Sequence, residues 1–381
     1  MMERGLPEKK SGTFRLSSLD ALRGFDMFWI LYPTYPIVRT LLKAMGLTDC
    51  WLYGQLCHYL WNGFTFYDTI YPLFLFMAGV SFPFSFDSSR AKGMGYGRIS
   101  WKIIRRAIIL ILLGSTIFGS LRLDFEKLTL CSVLGRIGLS CGAASFIWMF
   151  VRGNRARLAV CVSILLIYWL LPFFVHCPGA PEGALAYAAK ETCLYSWLDG
   201  NFFPRPLFGA GFAGLFPMTA TALMGMFAGE WLKRPASEVS GARKTLGLIA
   251  AGAVSLASGL LIANAFGDWS CPVNKPIWSS SYALVSGAYS FLMLAVFYWI
   301  IDVRGKTAWS FPFRVIGMNA VFAYLASRTV FPWKMEMNFL FGGVMSFFPP
   351  EWGAFVGELL YMTVYWLLLL LMYRKGIFLK A

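Results

Sequence analysis

Apolar runs of about 20 residues recur along the whole chain and are separated by short polar segments. A helix of this length crosses the hydrocarbon core of a bilayer, which is about 30 Å thick. The pattern therefore predicts an all-α, polytopic integral membrane protein with ten membrane-spanning helices. The predicted spans are residues 24–44, 64–85, 103–120, 128–151, 158–175, 209–231, 246–266, 281–301, 309–330 and 353–373.

Composition and charge favour the same class of protein. Of the 381 residues, 58% are hydrophobic and only 14% are charged, whereas soluble domains carry about 25% charged residues. The net charge is +15, and on this span map roughly two thirds of the Lys and Arg residues fall on one side, which the positive-inside rule places in the cytoplasm with both termini. Because these residues are divided among short loops and form no single groove, the charge pattern argues against nucleic-acid binding.

No soluble insert interrupts the spans, so residues 1–381 are predicted to form a single transmembrane domain. Residues 1–18 form a cytoplasmic N-terminal segment without the apolar run of a cleaved signal peptide, and residues 374–381 form a cytoplasmic tail. The eight cysteines show no zinc-binding spacing. A disulfide between Cys177 and Cys193, both in an outward loop, stays an open alternative.

The segment CHYLWNGFTFYDTIYPLFLFMAGV places polar side chains at the mouth of the second predicted span. Asn62 follows His58 by four residues, so on a helix that begins near Gln55 we expect the two side chains to hydrogen-bond. A lone histidine in a membrane protein is often only a helix-interface residue. Polar side chains inside spans are costly and usually functional, however, and this helix would carry four on one stripe. The stripe consists of His58, Asn62, Thr65 and Thr69.

Asp68 has a different expected partner. Ten residues of continuous helix separate it from His58 by about 15 Å, so it cannot orient the imidazole unless the chain breaks at Gly63. Asp68 would instead share the face of Trp61 and pair with another helix.

Charged and polar residues also occur in other predicted spans, where we expect them to pair or to line a wet cavity. Arg136 and a basic cluster on the cytoplasmic side have two open interpretations. In the first interpretation, these residues bind phosphate groups, which guanidinium groups contact bidentately. In the second, the cluster only sets the membrane topology. The residues inside spans are Asp26, Arg136, Arg314, Asn319 and Glu358, and the cluster consists of Arg98, Lys102, Arg105 and Arg106.

The chain lacks the GxSxG, Walker and HExxH motifs. It resembles the heparan-α-glucosaminide N-acetyltransferase family in six segments that follow in order along nearly the whole sequence. These segments are RLSSLDALRG, HYLWNGFTFYDTIYPLFLFMAGVS, VLGRIGLS, PVNKPIWSSSYALVSG, VIGMNAVFAYLASRTVF and YRKGIFLK.

The resemblance implies a transmembrane acetyltransferase that takes acetyl-CoA from the cytosol and acetylates an amino sugar on the far side. His58 matches the family's catalytic histidine, which carries either the acetyl group or only a proton, and Asn62 matches the asparagine of its WNG motif. The chain departs from the family in its first span, where Thr34 replaces an asparagine. The resemblance further implies acetyl-CoA as co-substrate without a metal, a homodimer, and a bacterial inner membrane.

The outward loops are long and rich in tryptophan, so we expect the acceptor to bind there. An indole ring suits the apolar face of a sugar, although it also serves as an anchor at the lipid headgroups. Two other functions remain open: an acyltransferase with a lipid or protein acceptor, and a solute transporter or channel. The candidate acceptor-binding residues are Trp61, Asp68, Asn274, Lys275 and Trp278.

Overall fold

The computed structural model describes residues 16–31, 34–117, 130–202, 211–329 and 333–379. These residues form helices and contain no β-strand. The helices of the first half are α1 (Ser17–Ile30), α2 (Thr34–Ala44), α3 (Trp51–Gln55), α4 (Ile70–Ala91), α5 (Tyr96–Ile117), α6 (Val133–Phe150) and α7 (Asn154–Phe174). Those of the second half are α8 (Leu194–Trp197), α9 (Leu215–Lys233), α10 (Gly241–Asn264), α11 (Ser280–Phe297), α12 (Phe311–Met318), α13 (Ala320–Thr329), α14 (Trp333–Met345) and α15 (Pro350–Arg374).

Six helical segments among the described residues are long and apolar enough to cross a membrane. They coincide with six of the ten predicted spans, and they support an integral membrane protein. The six segments are Phe66–Ala91, Val133–Phe150, Asn154–Phe174, Gly241–Asn264, Ser280–Val303 and Pro350–Arg374.

The other four predicted spans differ from the observed helices in their bounds or in their continuity. Helix α5 begins seven residues before predicted span 103–120, so its first turns carry the basic cluster, and α9 begins at Leu215. The predicted span 24–44 is divided between α1 and α2, and the span 309–330 between α12 and α13. The segment after residue 330, predicted as a loop, contains α14. Sequence periodicity was therefore wrong where it predicted one continuous helix across Leu31 or across Asn319.

The break between α12 and α13 lies at Asn319, a buried residue. Its side-chain amide donates to the Ile377 carbonyl (3.0 Å) and its side-chain oxygen accepts from the Leu379 amide (3.0 Å). Buried backbone groups need partners where no water reaches them. Asn319 therefore bonds two backbone groups of the C-terminal segment and holds that segment against the break.

Glycines allow the central helices to approach closely. A Cβ atom on Gly79 of α4 would lie 2.2 Å from the Ala222 carbonyl oxygen of α9, and one on Gly225 would lie 2.1 Å from the Phe76 carbonyl oxygen. In a bilayer, where apolar surface gains little by contact with other apolar surface, small residues favour such packing. The α4–α9 pair forms the centre of the bundle, and α4 leads directly from the segment that carries His58.

The charged residues inside spans have varied surroundings. Glu358 of α15 accepts a hydrogen bond from the Thr40 hydroxyl (3.0 Å), as the expected pairing requires. Asp26 of α1 is buried, and neither of its carboxylate oxygens has a hydrogen-bond partner among the described residues. All eight cysteines are free thiols. The Thr34 side chain lies outside the described residues.

Candidate functional site

The segment that carries His58 is not helical. Helix α3 ends at Gln55, and helical structure resumes only at Phe66. Between them the backbone reaches Gly63 with φ = 146°, where a Cβ atom would lie 2.4 Å from the Tyr59 ring. A side chain at this position would therefore be strained and would displace the Tyr59 ring. The predicted helical stripe from His58 to Thr69 was wrong, because residues 56–65 are not helical.

A second loop pairs with this segment and replaces the lost helical hydrogen bonds. The Gly63 amide donates to the Val273 carbonyl (2.8 Å), and the Asn274 side chain donates to the Asn62 side-chain oxygen (2.9 Å). The Asn62 amide group donates in turn to the Tyr187 carbonyl (3.1 Å). Asn62 thus joins two loops, and its expected hydrogen bond to His58 is replaced by these contacts.

The break brings His58 and Asp68 together. The imidazole Nδ1 lies 2.6 Å from Asp68 Oδ1, far closer than the roughly 15 Å of a continuous helix. Because a carboxylate only accepts hydrogen bonds, Nδ1 is the donor and Nε2 is the proton-accepting nitrogen of the neutral ring. The expectation that Asp68 faces away from His58 was wrong for the same reason as the predicted stripe.

Asp68 is held rigidly at this position, with only 1% of its surface exposed. Its second carboxylate oxygen, Oδ2, accepts from the Thr65 amide (3.2 Å), and its backbone carbonyl accepts from the Tyr282 hydroxyl (2.6 Å). The His58 side chain is 49% exposed, and its ring lies 4.7 Å from the ring of Tyr67. A buried, anchored carboxylate therefore orients a half-exposed imidazole, which is the arrangement of a general base and its positioning residue.

Lys275 completes this cluster from the second loop. Its ammonium Nζ donates to Asp68 Oδ1 (3.0 Å) and lies 3.2 Å from His58 Nδ1. Burial lowers the pKa of Lys275, and the neighbouring Asp68 carboxylate partly opposes this effect. Two nitrogen groups thus share one carboxylate oxygen.

His58 and Lys275 face a cavity of about 290 Å³, which we term the His58 cavity. Four lining residues carry basic side chains, and none of the lining residues that the structure describes is an aspartate or glutamate. Such a cavity favours groups that are negative or become negative during a reaction. The basic lining residues are His58, Arg136, Lys275 and Arg328, and the apolar ones include Met27, Ile30, Phe74, Val321 and Tyr324.

A second cavity, of about 100 Å³, lies between α4, α5 and α6 and is termed the basic cavity. Lys102 and Arg106 line it, whereas Arg98 and Arg105 of the same predicted cluster do not. Ile137 of α6 lines both cavities. The lining residues of α6 extend from Val133 to Ser145, a distance of about 18 Å along the helix, so the two cavities follow one another along this helix.

Arg136 lies in the His58 cavity and not with the basic cluster. Its Nε donates to the Cys131 carbonyl (2.7 Å), and a Cβ atom on Gly211 would lie 2.7 Å from its guanidinium. Asp199, which accepts from the Gly211 amide (2.7 Å), contributes a nearby negative charge. Arg136 thus lines a cavity, and its side chain is held on two sides.

Two of the predicted acceptor-binding residues are buried. Trp278 is 3% exposed and Asn274 is 0% exposed, so neither the sugar-binding nor the headgroup interpretation of Trp278 fits. The Trp278 indole donates to the Thr221 hydroxyl (3.2 Å) and packs edge-on against Tyr282. Trp61, which is partly buried, donates to the Tyr187 carbonyl (3.0 Å). Trp61, Asn274 and Trp278 therefore position the site. Of the three acceptor-binding candidates in the second loop, Asn274, Lys275 and Trp278, only Lys275 lines the cavity.

Sequence reasoning missed Arg328, which lines the His58 cavity from α13. A signal was present, because Ala320, Tyr324 and Arg328 recur every four residues and therefore share one helix face. The role of Tyr187 as a shared acceptor for Trp61 and Asn62 had no such signal, since it depends on contact between distant loops.

Comparison with known proteins adds a family. The sequence model described as heparan-alpha-glucosaminide N-acetyltransferase, catalytic, matches residues 15–262. The chain is 24% identical over 384 residues to the heparan-alpha-glucosaminide N-acetyltransferase of Mus musculus, a match that covers 86% of this chain and 56% of that protein. It is 24% identical over 425 residues to the protein of the same name from Homo sapiens, covering 96% and 60%. The chain thus spans less than two thirds of the length of these relatives.

Proposed function

The chain belongs to the heparan-α-glucosaminide N-acetyltransferase family, and on this premise we propose that it transfers the acetyl group of acetyl-CoA to the amine of a sugar across the membrane. The single observation that carries this proposal is the 2.6 Å contact between His58 and Asp68 at the wall of the His58 cavity. The contact supplies an oriented base, which an amine acceptor requires, and the cavity supplies positive charge for the negative transition state.

The proposed reaction uses Nε2 of His58 as the base. The sugar nitrogen attacks the thioester carbonyl carbon while Nε2 takes a proton from that nitrogen, which gives a tetrahedral oxyanion and an imidazolium. The oxyanion collapses, the carbon–sulfur bond breaks, and the imidazolium returns its proton to the departing thiolate. The products are an N-acetyl sugar and CoA with a free thiol, and Asp68 stabilises the imidazolium between the two steps.

The basic residues of the His58 cavity have a second role in this proposal. Lys275, Arg136 and Arg328 contribute positive charge around the reacting carbonyl, which stabilises the oxyanion. The same charges disfavour protonation of a bound amine, so that the acceptor nitrogen keeps the lone pair that it needs for attack. Carboxylates on the lining would destabilise the oxyanion and would favour protonation of the bound amine.

We further propose that CoA binds along α6. Lys102 and Arg106 in the basic cavity contact its phosphate groups, and the acetylated arm passes Ile137 to reach His58. The two cavities that meet at Ile137 support this route, and so does the basic composition of the loops at that end of the bundle. In this arrangement the nucleotide faces the cytoplasm of a bacterial cell and the sugar approaches from the periplasmic side of the inner membrane.

The test uses the full-length protein, purified in detergent, with radiolabelled acetyl-CoA and a panel of amino sugars. We expect labelled N-acetyl sugar from the native protein and loss of the product in His58→Ala. The matched control is His176→Ala, because His176 is the second histidine of the chain and lies exposed on a loop. Full product formation by His58→Ala, or equal losses in the two variants, would refute the role of His58.

Sidedness is tested after reconstitution into liposomes with acetyl-CoA enclosed and glucosamine outside. We expect transfer by the molecules whose cytoplasmic face is inside the liposome. Transfer only by molecules in the opposite orientation would contradict the proposed direction. Proton-coupled uptake of solute without any CoA dependence would favour a transporter instead.

A further inference from the structure

The residue beside the proposed base is itself a primary amine. Lys275 Nζ lies 3.2 Å from His58 Nδ1, and both side chains line the same cavity. The amine of an amino sugar must occupy this cavity if His58 is to accept its proton. The site therefore already contains a group of the same chemical class as the proposed acceptor.

Two features of Lys275 bear on its reactivity. The side chain is 22% exposed, so its nitrogen is accessible from the cavity, and its four-carbon stem permits movement toward the imidazole Nε2. Burial lowers the pKa of Lys275, which raises the neutral, nucleophilic fraction above that of an exposed lysine with a pKa of about 10.4. The hydrogen bond to Asp68 opposes both effects, because it holds the nitrogen as an ammonium away from the thioester.

We propose that Lys275 is an internal acetyl acceptor, which the enzyme modifies when acetyl-CoA is bound and no sugar occupies the cavity. The inference rests on the proposed function, since it uses the same base and the same donor. The Lys275 nitrogen forms a bond to the acetyl carbonyl carbon, the carbon–sulfur bond of acetyl-CoA breaks, and the proton of the nitrogen passes through His58 to the CoA thiolate. The products are an acetyl-lysine and CoA with a free thiol.

This modification has consequences for activity. Acetyl-lysine carries no charge, so Asp68 loses its second cationic partner, and the added acetyl group occupies part of the cavity. An acetylated enzyme is therefore inactive toward sugar. A bound sugar protects the enzyme, because it takes the acetyl group first and keeps Lys275 away from the thioester.

The experiment incubates the full-length protein with acetyl-CoA, with and without glucosamine, and measures acetylation of each lysine by peptide mass spectrometry. Lys190 is the internal control, since it lies exposed in a loop on the same side of the bundle as Lys275 and reports uncatalysed acetylation. General-base catalysis contributes about 10²–10⁴-fold, so we expect acetylation of Lys275 at least about tenfold faster than that of Lys190. The excess disappears in His58→Ala and in the presence of saturating glucosamine.

A second measurement does not depend on mass spectrometry. Preincubation with acetyl-CoA alone slowly abolishes sugar acetylation by the native protein, whereas whatever activity Lys275→Arg retains does not decay. Equal acetylation of Lys190 and Lys275 would overturn the proposal, and so would hydroxylamine-labile acetyl on a histidine with none on Lys275. If sugar is acetylated but Lys275 is not, this inference fails and the proposed function stands. If neither is acetylated, both fail.

Discussion

The carboxylate of Asp68 is the most informative group to change, because it contacts both His58 and Lys275. Asp68→Asn keeps the shape of the side chain and an oxygen that accepts from the Thr65 amide. It removes the negative charge that faces the imidazole and allows an amide N–H to favour the wrong tautomer. We expect the turnover number for sugar acetylation to fall, with little change in the KM for acetyl-CoA, since Asp68 lies outside the proposed nucleotide site.

The size of the effect follows from the geometry. Unit charges at the His58–Asp68 separation of 2.6 Å interact by about 6 kcal/mol at an effective dielectric of about 20. The His58 side chain is 49% exposed, so water screens part of this energy. We therefore expect a loss of about 3–5 kcal/mol in transition-state stabilisation, which is about 10²–10⁴-fold in kcat.

The substitution also leaves Lys275 beside a neutral group, which itself destabilises the fold by about 1–3 kcal/mol. A double variant, Asp68→Asn with Lys275→Gln, separates the two effects. It should regain thermal stability because no unpaired ammonium is left, but it should not regain turnover. The control is Asp268→Asn, because Asp268 is an exposed acid on the loop that precedes Lys275. Turnover of Asp68→Asn within about threefold of the native value would refute the positioning role, since it lies far below the range for a general base. A loss seen only in KM would do the same.

Three further predictions concern the cofactor site and the loop pairing. Lys102→Gln should raise the acetyl-CoA dissociation constant about tenfold, as a lost charge-assisted hydrogen bond does, with kcat unchanged. Arg98→Gln, on the same helix but outside the basic cavity, should leave the affinity measured by calorimetry unchanged. Equal losses of affinity in the two variants would show an effect of overall charge and contradict a site at Lys102. Gly63→Ala should destabilise the site by about 1–3 kcal/mol and reduce kcat. Gly54→Ala should do neither, because a Cβ atom added there would meet no other atom within 4 Å. Thermal melts and rates measured on both variants distinguish them. Asn274→Ala should lower turnover more than acetyl-CoA affinity, because its side chain holds the His58 loop (2.9 Å to Asn62), and a pure affinity loss would contradict this.

Sequence periodicity predicted the parts of the fold that a continuous helix builds. Six predicted spans coincide with apolar helices, because a run of apolar residues has one low-energy structure in a bilayer. The breaks at Leu31 and Asn319 escaped this reasoning. Asn319 is stabilised by the distant residues Ile377 and Leu379, and a window of neighbouring residues contains no information about such contacts.

The sequence predicted several residues of the candidate site but not how their side chains are arranged. His58 and Arg136 were identified because polar and ionisable groups are costly near hydrocarbon, and Lys275 because it lies in a long outward loop; all three line one cavity. The roles of Asp68 and Asn62 were misassigned because both assignments assumed one continuous helix from Gln55 to Asp68, whereas residues 56–65 are not helical. Trp278 was assigned to the surface, although its indole is buried beneath the site.

The same irregular backbone that defeated periodicity makes the chemistry feasible. On one helix, side chains ten residues apart lie about 15 Å from each other, whereas the break at Gly63 brings His58 to 2.6 Å from Asp68. The second loop has a comparable strained residue, Trp278 with φ = 54°, at a cost of about 1–3 kcal/mol. The hydrogen bonds between the Gly63 and Val273 backbones and between the two asparagines offset that cost. Each loop therefore stabilises the other, so any change that separates them should misplace the base and Lys275 together.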